Sequence, residues 1–95
     1  MSLTIESALH DVVTALQQRL AEQLPAADSN GRLTGRPMSI RPVDRQTIEI
    51  IFREVPQVSE TEVRAVRRIL DMPTFCSVSP EGGSALTVTF ICQVE

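Results

Sequence analysis

Apolar residues recur at three- and four-residue spacing over 4–24: Ile5, Leu9, Val12, Val13, Leu16, Leu20 and Leu24. That period draws one apolar stripe along an α-helix. Thr4 is placed to cap its start, and Glu6 lies in the first turn, where the helix dipole favours an anion. Pro25 is expected to end it. The next stretch, 25–37, carries two Pro, two Gly, Asp, Ser and Asn and reads as a long loop. A loop of this length in a small domain points to motion or function.

The period then changes from helical to alternating. Strands are expected over 38–43 and 47–55, around a turn at Asp44 to Gln46. In the second, Ile48, Ile50 and Phe52 share one face, and Glu49, Ile51 and Arg53 take the other. A second helix is expected over roughly 60–72. Ser59 and Glu62 spell a capping box, Val58 and Val63 are spaced for a hydrophobic staple, and Pro73 ends the run. A short strand over 74–79 and a long one over 85–94 follow, joined through Glu81, Gly82, Gly83 and Ser84. Leu86, Val88, Phe90, Cys92 and Val94 face one way, and Thr87, Thr89, Ile91 and Gln93 the other. This is the signature of a sheet covered on one side only.

The two strand pairs align at an offset of 38 residues: Ser39 with Ser77, Pro42 with Pro80, Ile48 with Leu86, Ile50 with Val88 and Phe52 with Phe90. The 95 residues are therefore expected to form one α+β domain, with 4–55 and 59–94 as candidate pseudo-repeats. The order is α-β-β-α-β-β, with two helices on one face of a four-stranded antiparallel sheet, a permuted ferredoxin-like sandwich. The second and fourth strands are expected in the centre. The first and third, with Pro42 and Pro80, are expected at the edges, where proline costs no ladder bond. This order resembles the small extracytoplasmic domains of type II secretion and type IV pilus platform proteins, ferredoxin-like modules that dimerise. The resemblance is one of topology, carries over no residue, and implies an assembly role.

Charge and composition add mostly exclusions. Twelve acids against nine bases give a formal charge of -3, so no overall field draws nucleic acid or an anionic membrane. No segment reaches the apolar length of a membrane span. The start lacks a basic region before an apolar core, so cytoplasmic location is expected. All nine basic residues are Arg, a composition bias rather than a set of bidentate contacts.

Chemistry-bearing clusters are sparse. Cys76 and Cys92 are expected on the core side, across or diagonal to each other, as buried thiols behaving like small hydrophobes. His10, the one histidine, falls on the polar side of the first helix beside Asp11. No nucleophile–base pair, phosphate loop, cofactor motif or metal motif is visible. The central strands offer no exposed aromatic for stacking on bases, so no nucleic-acid partner is expected. Two surfaces remain. The open sheet face would present Glu49, Ile51, Arg53, Thr87, Thr89, Ile91 and Gln93, with Ile51 and Ile91 the odd apolar members. Arg32, Arg36, Arg41 and Arg45 make a locally basic stretch suited to an anion. The sequence thus leads to a non-catalytic interaction or assembly domain, a homodimer or the binder of another protein, associating through the open sheet face or an edge strand. The alternative is a sensor of small anionic ligands using the 25–37 loop.

Overall fold

The computed structural model describes residues 5–27 and 33–94, with side chains from 10 to 26 and from 33 onward. Helix α1 spans Ile5–Ala27, followed by strands β1 (Met38–Asp44) and β2 (Thr47–Val55), helix α2 (Glu60–Leu70), and strands β3 (Thr74–Gly82) and β4 (Ala85–Gln93). The strands form one antiparallel sheet in the order β1-β2-β4-β3. The expected α+β architecture is observed, with β2 and β4 central and β1 and β3 at the edges.

One side of the sheet carries the core. Ile48, Ile50, Phe52, Val88, Phe90 and Cys92 point into it and are buried against Leu16, Leu20 and Leu24 of α1 and Val66, Ile69 and Leu70 of α2. Phe52 and Phe90 meet edge to face at 5.9 Å between ring centroids, a favourable aromatic geometry. Both helices therefore cover the same face.

Local signals explain most element ends. At α2, the Ser59 hydroxyl oxygen accepts from the Glu62 N–H at 3.4 Å, and Val58 and Val63 are half-buried against the core. The helix stops at Asp71, whose left-handed backbone (φ 53°) lets its N–H donate to the Arg67 carbonyl at 2.9 Å. In the first hairpin the Asp44 carboxylate accepts from the Gln46 N–H at 2.9 Å, an Asx turn. That bond holds its pKa below the ordinary value, with the Thr47 hydroxyl helping.

Three expectations change. Pro25 does not end α1, which continues to Ala27. The ring's fixed φ is already helical, and the bond it removes would fall on the carbonyl of exposed Ala21, which water reaches. The end of the 25–37 loop is partly core: Leu33 is buried beneath a turn in which the Arg36 N–H donates to the Leu33 carbonyl at 3.1 Å. Strand β3 runs past Pro80 to Gly82, because its partner β4 extends alongside as far as Ala85. The expected cap Thr4 lies outside the described residues, as do Asn30, Gly31 and Arg32.

Candidate functional site at the uncovered sheet face

The face opposite the helices can be read as a grid from the strand register. One row runs Ser39, Ile51, Thr89, Ser77; the next runs Arg41, Glu49, Ile91, Phe75. Beyond them Thr47 pairs with Gln93 at one end, and at the other a bulge between Phe52 and Val55 sets Arg53 and Glu54 beside Thr87. All seven residues expected on this face project from it. Ile51 and Ile91 are half-buried by their neighbours.

Some polar members of the grid are engaged with each other or with Glu81. Arg41 Nε lies 2.7 Å from Glu49 Oε1 across the β1–β2 pair. The Glu81 carboxylate accepts from the Thr87 hydroxyl at 3.0 Å and from the Glu54 N–H at 3.2 Å. Glu54 itself has φ 57°, so the bulge holds a non-glycine residue in a left-handed conformation that costs roughly 1–2 kcal/mol. Glu81 ties that bulge to the β3–β4 hairpin.

The residue that sequence reasoning missed is Phe75. It lies directly opposite Ile91 and is 65% exposed, the most exposed of the large hydrophobics among the described residues. It lies on an edge strand, outside the central strands whose alternation marks the face most plainly. The alternation that places Cys76 inward also places Phe75 outward, so the signal was present. Phe75, Ile91 and Ile51 make an apolar diagonal across β3, β4 and β2.

Arg36, Arg41 and Arg45 do not gather. Arg36 precedes β1 and Arg45 follows it, roughly 30 Å apart along an extended chain, and Arg41 between them is held by Glu49. Arg36 stands at the rim of a cavity of about 140 Å³ lined by Leu20, Leu24, Leu33, Met38 and Phe52. His10 is exposed on α1, and its carbonyl accepts from the Thr14 hydroxyl at 2.9 Å.

The two cysteines are free. Cys76 pairs with Phe90 and Cys92 with Thr74, so the thiols are diagonal neighbours with Cβ atoms roughly 7 Å apart. That exceeds the ~4.5 Å limit for a disulfide. Burial pushes both thiols above their ordinary pKa; Arg67 opposes this at Cys76, and the Thr74 hydroxyl opposes it at Cys92. Among the described residues, no helix is long and apolar enough to cross a membrane. Compared with known proteins, the chain matches no family model, no curated protein and no solved structure.

Proposed function

We propose that this chain is a non-catalytic protein-interaction or assembly domain that self-associates through the exposed part of its sheet. The observation that carries the reading is Phe75, left in water beside Ile91 on the side that no helix covers. A single exposed apolar residue is ordinary. A phenyl ring opposite one isoleucine, with a second isoleucine diagonal to that one on the same flat surface, is the usual mark of a contact site. The reading places the domain in the cytoplasm, where its two unpaired thiols stay reduced.

Light scattering behind size exclusion, from micromolar to millimolar chain, tests it. A concentration-dependent dimer is expected, and Phe75→Asp should weaken it while circular dichroism stays unchanged. A monomer at every concentration would remove self-association.

A second reading rests on the cavity beside Arg36. Its apolar walls and cationic rim suit a small carboxylate with an apolar body. A thermal-shift screen against short-chain carboxylates is expected to raise the melting temperature on that reading, and a flat response counts against it.

A further inference from the structure

We propose that β3 is the assembling element, and that it pairs antiparallel with β3 of a second copy about a twofold axis through Cys76, making one continuous eight-stranded sheet. This rests on the assembly reading and narrows it to one edge.

The backbone shows which groups are available. The Gln93 N–H donates to the Pro73 carbonyl at 3.0 Å, so the bonded residues of β3 facing β4 are the odd-numbered ones: Phe75, Ser77 and Ser79. Thr74, Cys76, Val78 and Pro80 therefore turn their N–H and C=O groups outward, and Pro80 has no N–H to offer. On β1 the Arg53 N–H donates to the Pro37 carbonyl at 2.9 Å, and the same alternation turns Met38, Ile40 and Pro42 outward.

The two edges are not equally protected. Edge strands that must stay single carry charge, proline or bulges. Strand β1 has Arg41, Pro42, Asp44 and an irregularity between Pro42 and Asp44, and α1 lies across it. Strand β3 has Pro80, Glu81 and a register shift too, but all at its far end; from Thr74 to Ser79 it has no charged residue, whereas Arg41 stands inside the regular run of β1. On β3, exposed apolar side chains also stand on both faces: Phe75, and Val78 at 45% exposure.

A second copy satisfies this edge. Centred on Cys76, each outward donor from Thr74 to Val78 meets an outward acceptor: Cys76 faces the second copy's Cys76, and Thr74 faces the second copy's Val78. No like charges meet, whereas pairing β1 with itself would bring arginines together. The same centre places the two Phe75 rings diagonally across the new seam, within reach of each other above Ser77. A centre one residue later forms a similar number of bonds but separates the rings. A centre one residue earlier sets the rings directly opposite but leaves Val78 facing Met72, beyond the strand, so bond number and ring contact together select the register.

The test uses the full chain. Val78→Pro removes an outward N–H that bonds nothing within the sheet. The dimer is expected to weaken at least tenfold with the circular dichroism spectrum retained. Phe75→Lys, at an exposed position, brings two cations together across the axis and is expected to do the same if the proline variant fails to fold. A short bismaleimide, which adds one thiol across each of its two double bonds, should join Cys76 to Cys76 of the second copy on a denaturing gel, and Cys76→Ser should abolish the product. A dimer that survives Val78→Pro but is lost in Ile91→Asp overturns the edge and leaves the assembly reading standing on the face. A dimer sensitive to Val78→Pro but never cross-linked overturns the Cys76 register. A wild-type monomer at all concentrations overturns the assembly reading and this inference with it.

Discussion

Arg19 should be the most valuable charged side chain to the stability of this domain. It lies half-buried on α1, and its Nη1 donates to the carbonyls of Ile69 and Leu70 at 3.1 and 3.3 Å. Those carbonyls belong to the last turn of α2, where the helix has no internal donors left. The Asp71 N–H serves the Arg67 carbonyl one turn earlier. The guanidinium therefore supplies both hydrogen bonds and a cation at the negative end of the helix dipole. A hydrogen bond to a charged group contributes about 1.5–3 kcal/mol. The longer of the two contacts lies beyond the usual N–H···O range. We count one bond's worth, and expect Arg19→Met to cost about 2 kcal/mol. Methionine keeps most of the aliphatic stem over the core, so the loss reports the polar contacts rather than packing.

In a domain of this size, about 2 kcal/mol lowers the melting temperature by roughly 8–16 °C. Urea unfolding of Arg19→Met against wild type reads the free energy directly, at one fixed chain concentration because self-association would add to apparent stability. Arg64→Met is the control. Arg64 pairs with Glu60 at 2.7 Å, but both side chains are more than two-thirds exposed, and such pairs contribute about 0.3–0.5 kcal/mol. If the two variants fall within about 0.5 kcal/mol of each other, water replaces Arg19 at those carbonyls and the reasoning is refuted.

Three smaller predictions follow from local geometry. Ser59→Ala removes the cap of α2 and should cost about 1 kcal/mol in urea unfolding; no change would mean that Glu62 is positioned by packing alone. Glu54→Gly relieves the left-handed strain at the β2 bulge and should stabilise by about 0.5–1 kcal/mol, whereas Glu54→Val should destabilise. Both thiols have pKa values raised by burial from the ordinary 9.0. The unfolded chain therefore loses those protons first as pH rises, and stability present below that value should fall on passing above it. Denaturant midpoints measured across that range check the sign, and an aromatic disulfide reagent should modify half-buried Cys76 before fully buried Cys92.

Periodic patterns were legible in the sequence because each reports a face. Alternation in β2 and β4 located the buried row from Ile48 to Cys92, and the capping residues located the start of α2 to the residue. What was not legible depends on distance or context. Pro25 reads as a terminator until one sees that it occupies the final turn, where the missing bond faces solvent. Leu33 sits among Gly, Thr and Arg in a run that composition assigns to a loop, and only the cavity under α1 makes it core. The Arg19 contacts join residues some fifty positions apart, which no local pattern encodes. Arg36, Arg41 and Arg45 look clustered in sequence, yet an extended strand carries its two ends apart. For the site, the row of face residues was readable from alternation, and Phe75 was readable by the same rule once the edge strand was given equal weight.

The edges show where folding requirements stop accounting for the sequence. Pro42 and Pro80 both occupy outward-facing positions, so each lacks a donor that the sheet does not use. On β1 this agrees with Arg41, Asp44 and the irregular register, and together they describe an edge kept single. On β3 the proline, Glu81 and the register shift all come at one end, after an uncharged, regular run from Thr74 to Ser79. Replacing Phe75 by threonine would leave the buried cluster untouched, since the ring projects away from it. An exposed aromatic at an unprotected edge lowers solubility and offers a template for pairing, so folding alone gives no reason to keep it. Strand pairing does give one. The backbone groups turned outward between Thr74 and Val78, the absence of charge among them, and a ring brought within reach of its equal by a twofold centred on Cys76 all fit a second β3 strand.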